Sequence, residues 1–278
     1  MTILVTGATG TVGRLLVEEL LQTGQRVRAL TRNAAKAGLP QEVEVVEGDL
    51  ARPETLAAAF EGVTAAHLIN FAGDDYQPLE QGDRIAEIAA QAGVRRVTVL
   101  GGRADGALEQ ALAGTDMEWT LLHPVEFMSN TLRWWTHSVR AEGVVKEPFG
   151  DRLSAMVHER DIAAVAATVL VEGGYGGRSL TLTGPQAVAT TDKVRILSEA
   201  IGREIRFIEL TEDEARAQWR MFGMGEETIE FLIEALGNTP EEGRTVAPTV
   251  EQVTGRAPRG FAQWAAEHAE AFQPVASA

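Results

Sequence analysis

Gly7-Ala8-Thr9-Gly10-Thr11-Val12-Gly13 decides the fold. The glycines follow G-x-x-G-x-x-G spacing. They stand between a β-branched run at residues 3–5 and a stretch with helical spacing at Val12, Leu15, Leu16 and Leu20, which ends at Gly24. A strand that turns sharply into a helix uses each of them: Gly7 allows the tight turn, Gly10 lets the backbone approach a pyrophosphate, and Gly13 lets the helix pack closely on the strand. The unpaired N–H groups and positive dipole end of that helix then face phosphate oxygens. The expectation is a dinucleotide-binding turn formed with Thr9, Thr11 and Val12, set against a glycine turn that is merely structural.

Outward from this turn, strands and helices alternate. Residues 26–31, 43–47, 64–70, 96–100 and 119–122 read as strands, with helices at 53–60, 79–92 and 107–113. Alternation at this spacing means βαβ units, hence an α/β, Rossmann-type, doubly wound parallel sheet with helices on both faces. After His123-Pro124 the pattern loosens. Helices are expected at 125–140, at 161–170 with Asp161 as N-cap, and at 192–200, 211–222, 226–236 and 260–272, with short strands at 178–182 and 205–208. The domain reading is a nucleotide-binding domain over 1–123 and a smaller, mixed C-terminal substrate-binding lobe over 124–278. That lobe is expected to fold against the carboxyl ends of the sheet and not to be independent.

Ligands of open α/β sheets bind outside the carboxyl ends of the strands, which selects further candidates. Arg32 follows the second strand, where NAD-specific folds place an acidic residue. A guanidinium there suits a ribose 2′-phosphate, and Lys36 adds a second charge. The cofactor expected is therefore NADP(H) in preference to NAD(H), with Arg32 as a solvated surface charge the alternative. Asp49 and Leu50, after the third strand, resemble the pair that meets the adenine ring in such folds, though Asp49 reads equally as a turn cap. Asn70 and Phe71 end the fourth strand, Gly101-Gly102 the fifth and His123-Pro124 the sixth, so Asn70, Phe71, Gly101 and Pro124 complete the expected cofactor set.

The G-x-x-G-x-x-G spacing resembles the extended and atypical branches of the short-chain dehydrogenase/reductase superfamily. Leu122-His123-Pro124-Val125-Glu126-Phe127-Met128-Ser129-Asn130 resembles the Leu-Arg-Pro-x-x-Phe-x-x-Asn segment of NmrA-like proteins, with His123 in place of Arg. Asp161-Ile162-Ala163, Leu182-Thr183-Gly184-Pro185 and the tail from Val253 through Gly255, Pro258 and Phe261 to Trp264 resemble the same family, so the likeness covers nearly the whole chain. It implies either an NADPH-dependent reductase of quinones, dyes or aromatic (including polyketide) ketones, or a non-catalytic NADP(H)-sensing regulator. A variant is a reductase whose product then reacts with oxygen, giving net hydroxylation. Mainstream members use a Tyr-x-x-x-Lys pair, and this chain lacks it: its two tyrosines, Tyr76 and Tyr175, are followed four residues on by Glu80 and Ser179. The usual serine after the fifth strand is also replaced, by Gly101 or Gly102.

Without that proton donor, the electronic demand falls on the acceptor. Hydride delivery to an aliphatic ketone leaves an alkoxide whose conjugate acid has a pKa near water's, about 16. A quinone leaves a phenolate-like anion near 10, a difference of about 6 units or roughly 8 kcal/mol. A quinone or aromatic ketone is thus the expected substrate, with the proton coming from water, His123 or the substrate's own hydroxyl. His123 reads equally as a histidine bonded to backbone, and Tyr76 as a substrate contact or a surface loop residue. Phe127, Met128, Trp134 and Trp135 suit a flat aromatic ligand, or plain core or homodimer packing.

Composition agrees. Lys and Arg number 25 against 40 Asp and Glu, a net charge of −15 that disfavours nucleic acid as a partner. There is no cysteine, which excludes disulfides and thiolate metal sites. The histidines show no metal-ligand spacing, and no metal is expected. No apolar run approaches the roughly 20 residues of a membrane span, and Met1 leads directly into structure with no targeting pattern. Residence in the cytoplasm is the expectation.

Overall fold

Seven parallel strands form the central sheet: β1 (Thr2–Val5), β2 (Arg26–Thr31), β3 (Glu44–Glu47), β4 (Ala65–Ile69), β5 (Arg96–Leu100), β6 (Glu118–Pro124) and β7 (Arg178–Leu182). The structure is a computed structural model that describes residues 1–73, 77–101 and 105–274. Strand order is β3-β2-β1-β4-β5-β6-β7. The order reverses between β1 and β4, which pair in parallel with Ile3 opposite Ala65, so the crevice beyond their carboxyl ends is the binding position of such sheets. Thr6 ties the two strand ends together: its Oγ1 donates to the His67 carbonyl at 3.0 Å and accepts from the Ile69 N–H at 3.0 Å.

The central strands β1, β4 and β5 are largely apolar because both faces are covered. Leu4, Leu68, Val97 and Val99 share a core with Phe60, Ile85, Ala89 and Leu108, the last three from helices α2 (Gly82–Gln91) and α3 (Ala107–Ala113). Helix α1 (Thr11–Gln22) buries Val12, Leu16, Val17 and Leu20 and packs along the apolar helix α5 (Glu159–Glu172).

The chain divides into two compact units, and the division is not the contiguous one expected from the sequence. The first unit takes Met1–Pro124, Glu159–Leu182 and Thr249–Arg256; the second takes Val125–His158, Thr183–Pro248 and the chain from Ala257 onward. The reason is hydrogen bonding and burial. Strand β7 extends the sheet beside β6, Arg178 opposite Thr120, and α5 supplies α1 with an apolar partner.

In the second unit, helices α4 (Asn130–Glu142), α6 (Thr190–Ile201) and α9 (Phe261–Glu267) share a core of Trp135, Val139, Leu197, Phe261, Trp264 and Phe272. A helical pair, α7 (Glu212–Met221) and α8 (Glu226–Gly237), buries Ala215, Trp219, Ile229 and Ile233. Thr211 and Glu214 close a reciprocal capping box on α7. Two expected features shift. Residues 125–129 are not helical, because Met128 N–H bonds the Val157 carbonyl and Val157 N–H bonds the Glu126 carbonyl. Asp161 lies within the first turn of α5 rather than at its N-cap. Val144–Glu147 is an unexpected strand, paired in parallel with Arg206–Glu209.

Candidate functional site

The glycine turn occupies the carboxyl end of β1. Gly7 has φ +60°, a conformation that favours glycine. A Cβ on Gly13 would lie 2.1 Å from the Gly7 carbonyl oxygen, so only glycine lets α1 start this close to the strand. Gly10 is the N-cap of α1; no side chain caps the helix, and no acidic residue stands in its first turn. The first N–H groups of α1 are thus left for an external acceptor, and the cradle fits a dinucleotide pyrophosphate.

Arg14, which the sequence analysis did not single out, holds this turn in place. Its Nε donates to the Thr9 carbonyl at 3.0 Å, and its two Nη atoms donate to the carbonyls of Gly38 and Ala37 at 2.8 and 2.9 Å. One guanidinium therefore ties the phosphate turn to the loop after β2, which carries Arg32 and Lys36. Both of those side chains are exposed. Asp49 adopts the turn-cap geometry: its Oδ1 accepts from Ala51 N–H at 3.0 Å, and its Oδ2 lies 3.5 Å from Arg52 Nε. Leu50 is buried beside it.

At the end of β4, Asn70 is half-buried and Phe71 begins a short antiparallel pairing, Phe71–Ala72 with Gln77–Pro78. Gly101 follows β5, and a Cβ there would lie 2.1 Å from Asn70 Nδ2. Pro124 and the half-buried His123 end β6. The expected cofactor residues from β1 through β6 therefore share the carboxyl edge of one sheet. Tyr76 and Gly102 lie outside the described residues. Tyr175 precedes β7, at the opposite edge: its carbonyl accepts from Thr120 Oγ1, and Arg178 lies 5.8 Å from its ring. His67 is buried, with Nδ1 2.8 Å from Thr98 Oγ1, and burial lowers its pKa to about 4.

The aromatic segment after β6 divides between two environments. Met128 and Trp135 are almost wholly enclosed by the apolar core of the second unit. Trp134 is half-buried against the same core, under the Arg133 guanidinium at 5.4 Å. Phe127 is half-buried. Beside them lies a buried charge cluster. Arg152 donates to both oxygens of Glu126 at 2.9 and 3.3 Å, and Lys193 Nζ lies 3.8 Å away. Burial pushes Glu126 up, but Lys193 and Arg152 outweigh it and hold the carboxyl at about 2. Burial raises Glu147, which accepts from Trp135 Nε1. A cleft of about 700 Å³ within this unit is lined by Phe149, Arg152, Leu153, Leu236, Pro240 and Arg244 among others; none of Phe127, Met128, Trp134 and Trp135 lines it.

A Rossmann-type sheet with a glycine cradle at its switch point defines a nucleotide-binding protein. The NAD(P)H-binding family matches residues 7–105. The chain is 37% identical to a (4-alkanoyl-5-oxo-2,5-dihydrofuran-3-yl)methyl phosphate reductase of Streptomyces griseus, over 98% of this chain and 99% of that one. It is 32% identical to an NAD(P)H azoreductase of Xenophilus azovorans, over 97% and 99% of the two chains. Among solved structures it is similar to the NADPH complex of a quinone oxidoreductase from Escherichia coli, with a TM-score of 0.81 and 25% identity over 95% and 99% of the chains. The chain belongs to one family with these reductases and is an NAD(P)H-dependent oxidoreductase; it shares its fold with NmrA, at a TM-score of 0.76. Among the described residues, no helix is long and apolar enough to cross a membrane.

Proposed function

We propose that the protein is an NADPH-preferring reductase of acceptors that stabilise their own reduced anion: quinones, aromatic ketones and alkenes conjugated to carbonyls. The observation that carries this reading is Glu80 and Ser179 standing where a Tyr-x-x-x-Lys pair would require lysine. Bound NADPH supplies the hydride. The first turn of α1 holds the pyrophosphate, Arg32 and Lys36 the 2′-phosphate, and Asn70 and Gly101 line the edge of the sheet beyond β4 and β5.

No tyrosine–lysine pair is there to protonate an alkoxide, so the acceptor itself must bear the charge. A quinone does so as a phenolate-like anion, favoured over an alkoxide by about 6 pKa units, or roughly 8 kcal/mol. The acceptor named for the Streptomyces griseus relative belongs to the same electronic class. Its ring double bond is conjugated to an alkanoyl and a lactone carbonyl, so hydride addition leaves an enolate shared between two carbonyls. The proton then comes from water, from His123 or from a hydroxyl of the acceptor.

The test is turnover of Tyr76→Phe and Tyr175→Phe with a quinone acceptor. Each variant retains activity within about tenfold, some 1.4 kcal/mol of barrier. A loss of about 10²–10⁴-fold in either, the usual contribution of a general acid, overturns the reading.

A further inference from the structure

One buried carboxyl near the carboxyl edge of the sheet has no role in the reading above. Glu109 lies in α3 and is 1% exposed. Its Oε1 accepts from Asn70 Nδ2 at 2.8 Å, while its Oε2 is buried with no partner among the described residues. Leaving a buried acceptor unpaired costs about 1–3 kcal/mol, so packing alone would favour an apolar residue at this position.

Two glycines make room for the pair. A Cβ on Gly101 would lie 2.1 Å from Asn70 Nδ2, and one on Gly106 would lie 2.3 Å from Glu109 Oε2. The carboxyl also has a firm mount, because α3 packs so closely on α2 that a Cβ on Gly82 would lie 2.2 Å from Leu108 N. The hydrogen bond decides how the amide faces: Nδ2 must meet the carboxyl, since the flipped amide would set two acceptors together. Oδ1 is thus the atom left to accept, and no described residue donates to it. Asn70 follows β4 at the switch point, beside the strand that leads into the glycine turn.

We propose that Glu109 is a positioning residue of the NADPH site, acting through Asn70 to hold the amide with Oδ1 available to a hydroxyl or amide donor of the cofactor. This rests on the reading that Asn70 faces the cofactor.

The experiment measures NADPH dissociation constants, thermal midpoints and steady-state constants for wild type, Asn70→Asp and the double variant Asn70→Asp/Glu109→Gln. Asn70→Asp sets two carboxyl groups face to face and weakens NADPH about tenfold or more at pH 8, the range expected for a hydrogen bond to a charged group. The loss shrinks at lower pH, where a shared proton restores a donor. The double variant exchanges donor and acceptor and recovers most of the loss. The effect falls on KM for NADPH more than on kcat, whereas a purely structural role would lower the thermal midpoint and leave KM alone. Glu109→Ala removes the acceptor without adding charge and gives the same rise in KM, which keeps the test sound should Asn70→Asp fold poorly. Unchanged NADPH affinity in Asn70→Asp at pH 8, or no recovery in a folded double variant, overturns the role of Glu109 alone. A wild type that does not bind NADPH overturns the cofactor reading, and this inference with it.

Discussion

At Arg32 the account predicts that a single side chain selects NADPH over NADH. A carboxylate in that place would accept the ribose hydroxyls and repel a 2′-phosphate; a guanidinium reverses the field and binds phosphate through parallel hydrogen bonds. One charge-assisted bond contributes roughly 1.5–3 kcal/mol, so NADPH binds at least about tenfold more tightly than NADH. Arg32→Asp narrows or inverts that ratio in calorimetric titrations, and equal wild-type affinities contradict the assignment. His67 makes a different residue-scale prediction. Its ring is buried neutral, with a folded pKa of about 4 against 6.5 for the exposed group. Between those values the unfolded chain binds the extra proton, so the stability that neutral His67 supports is complete above pH 6.5 and is lost as pH falls towards 4. At pH 5 this amounts to about 2 kcal/mol relative to pH 7.5. His67→Asn, which keeps a polar atom near Thr98 Oγ1, reduces the acid sensitivity seen in denaturant unfolding at the two pH values. An unaltered difference shows that other groups govern it.

At the scale of elements, α1 does more than present its N-terminus. Through Arg14 it fastens the loop after β2 to the glycine turn with three bonds to carbonyl oxygens. Arg14→Met frees that loop, so the NADPH-over-NADH preference falls by about tenfold or more, the equivalent of one such bond at roughly 1.5–3 kcal/mol. An equal loss for both cofactors would show that Arg14 supports the turn alone. The glycine turn itself was legible in the sequence because its chemistry is largely local: Gly7 takes a positive φ, and Gly10 and Gly13 both press on the Gly7 carbonyl within six residues. Arg14 was not, because its partners at Ala37 and Gly38 lie in a loop whose path is set by the sheet. Glu109, whose partner Asn70 was expected at the site but lies 39 residues away, escaped for the same reason. The helix expected at 125–140 starts late because residues 126 and 128 give their backbone bonds to Val157, a partner that no local pattern announces. Asp49 stood equally for ligand or turn cap on sequence; its bond to Ala51 N–H gives it the cap geometry.

For the whole molecule, alternation of strand and helix was enough to predict the parallel sheet, since apolar runs covered on both faces have few other arrangements. It was not enough to divide the chain. Arg178–Leu182 was expected in the C-terminal lobe, and its pairing with β6 assigns it to the first unit. The aromatic segment after β6 was ambiguous because Trp and Met serve a core as well as a pocket, and burial places Met128 and Trp135 in the core. The central claim is that a chain with no tyrosine–lysine pair reduces acceptors that carry their own anion stabilisation. The most direct test is NADPH oxidation by the purified protein with a naphthoquinone and with an unactivated aliphatic ketone, compared as kcat/KM. The account predicts turnover of the quinone and a value at least about a thousandfold lower for the ketone, some 4 kcal/mol of barrier. Reduction of the aliphatic ketone within tenfold of the quinone would contradict it.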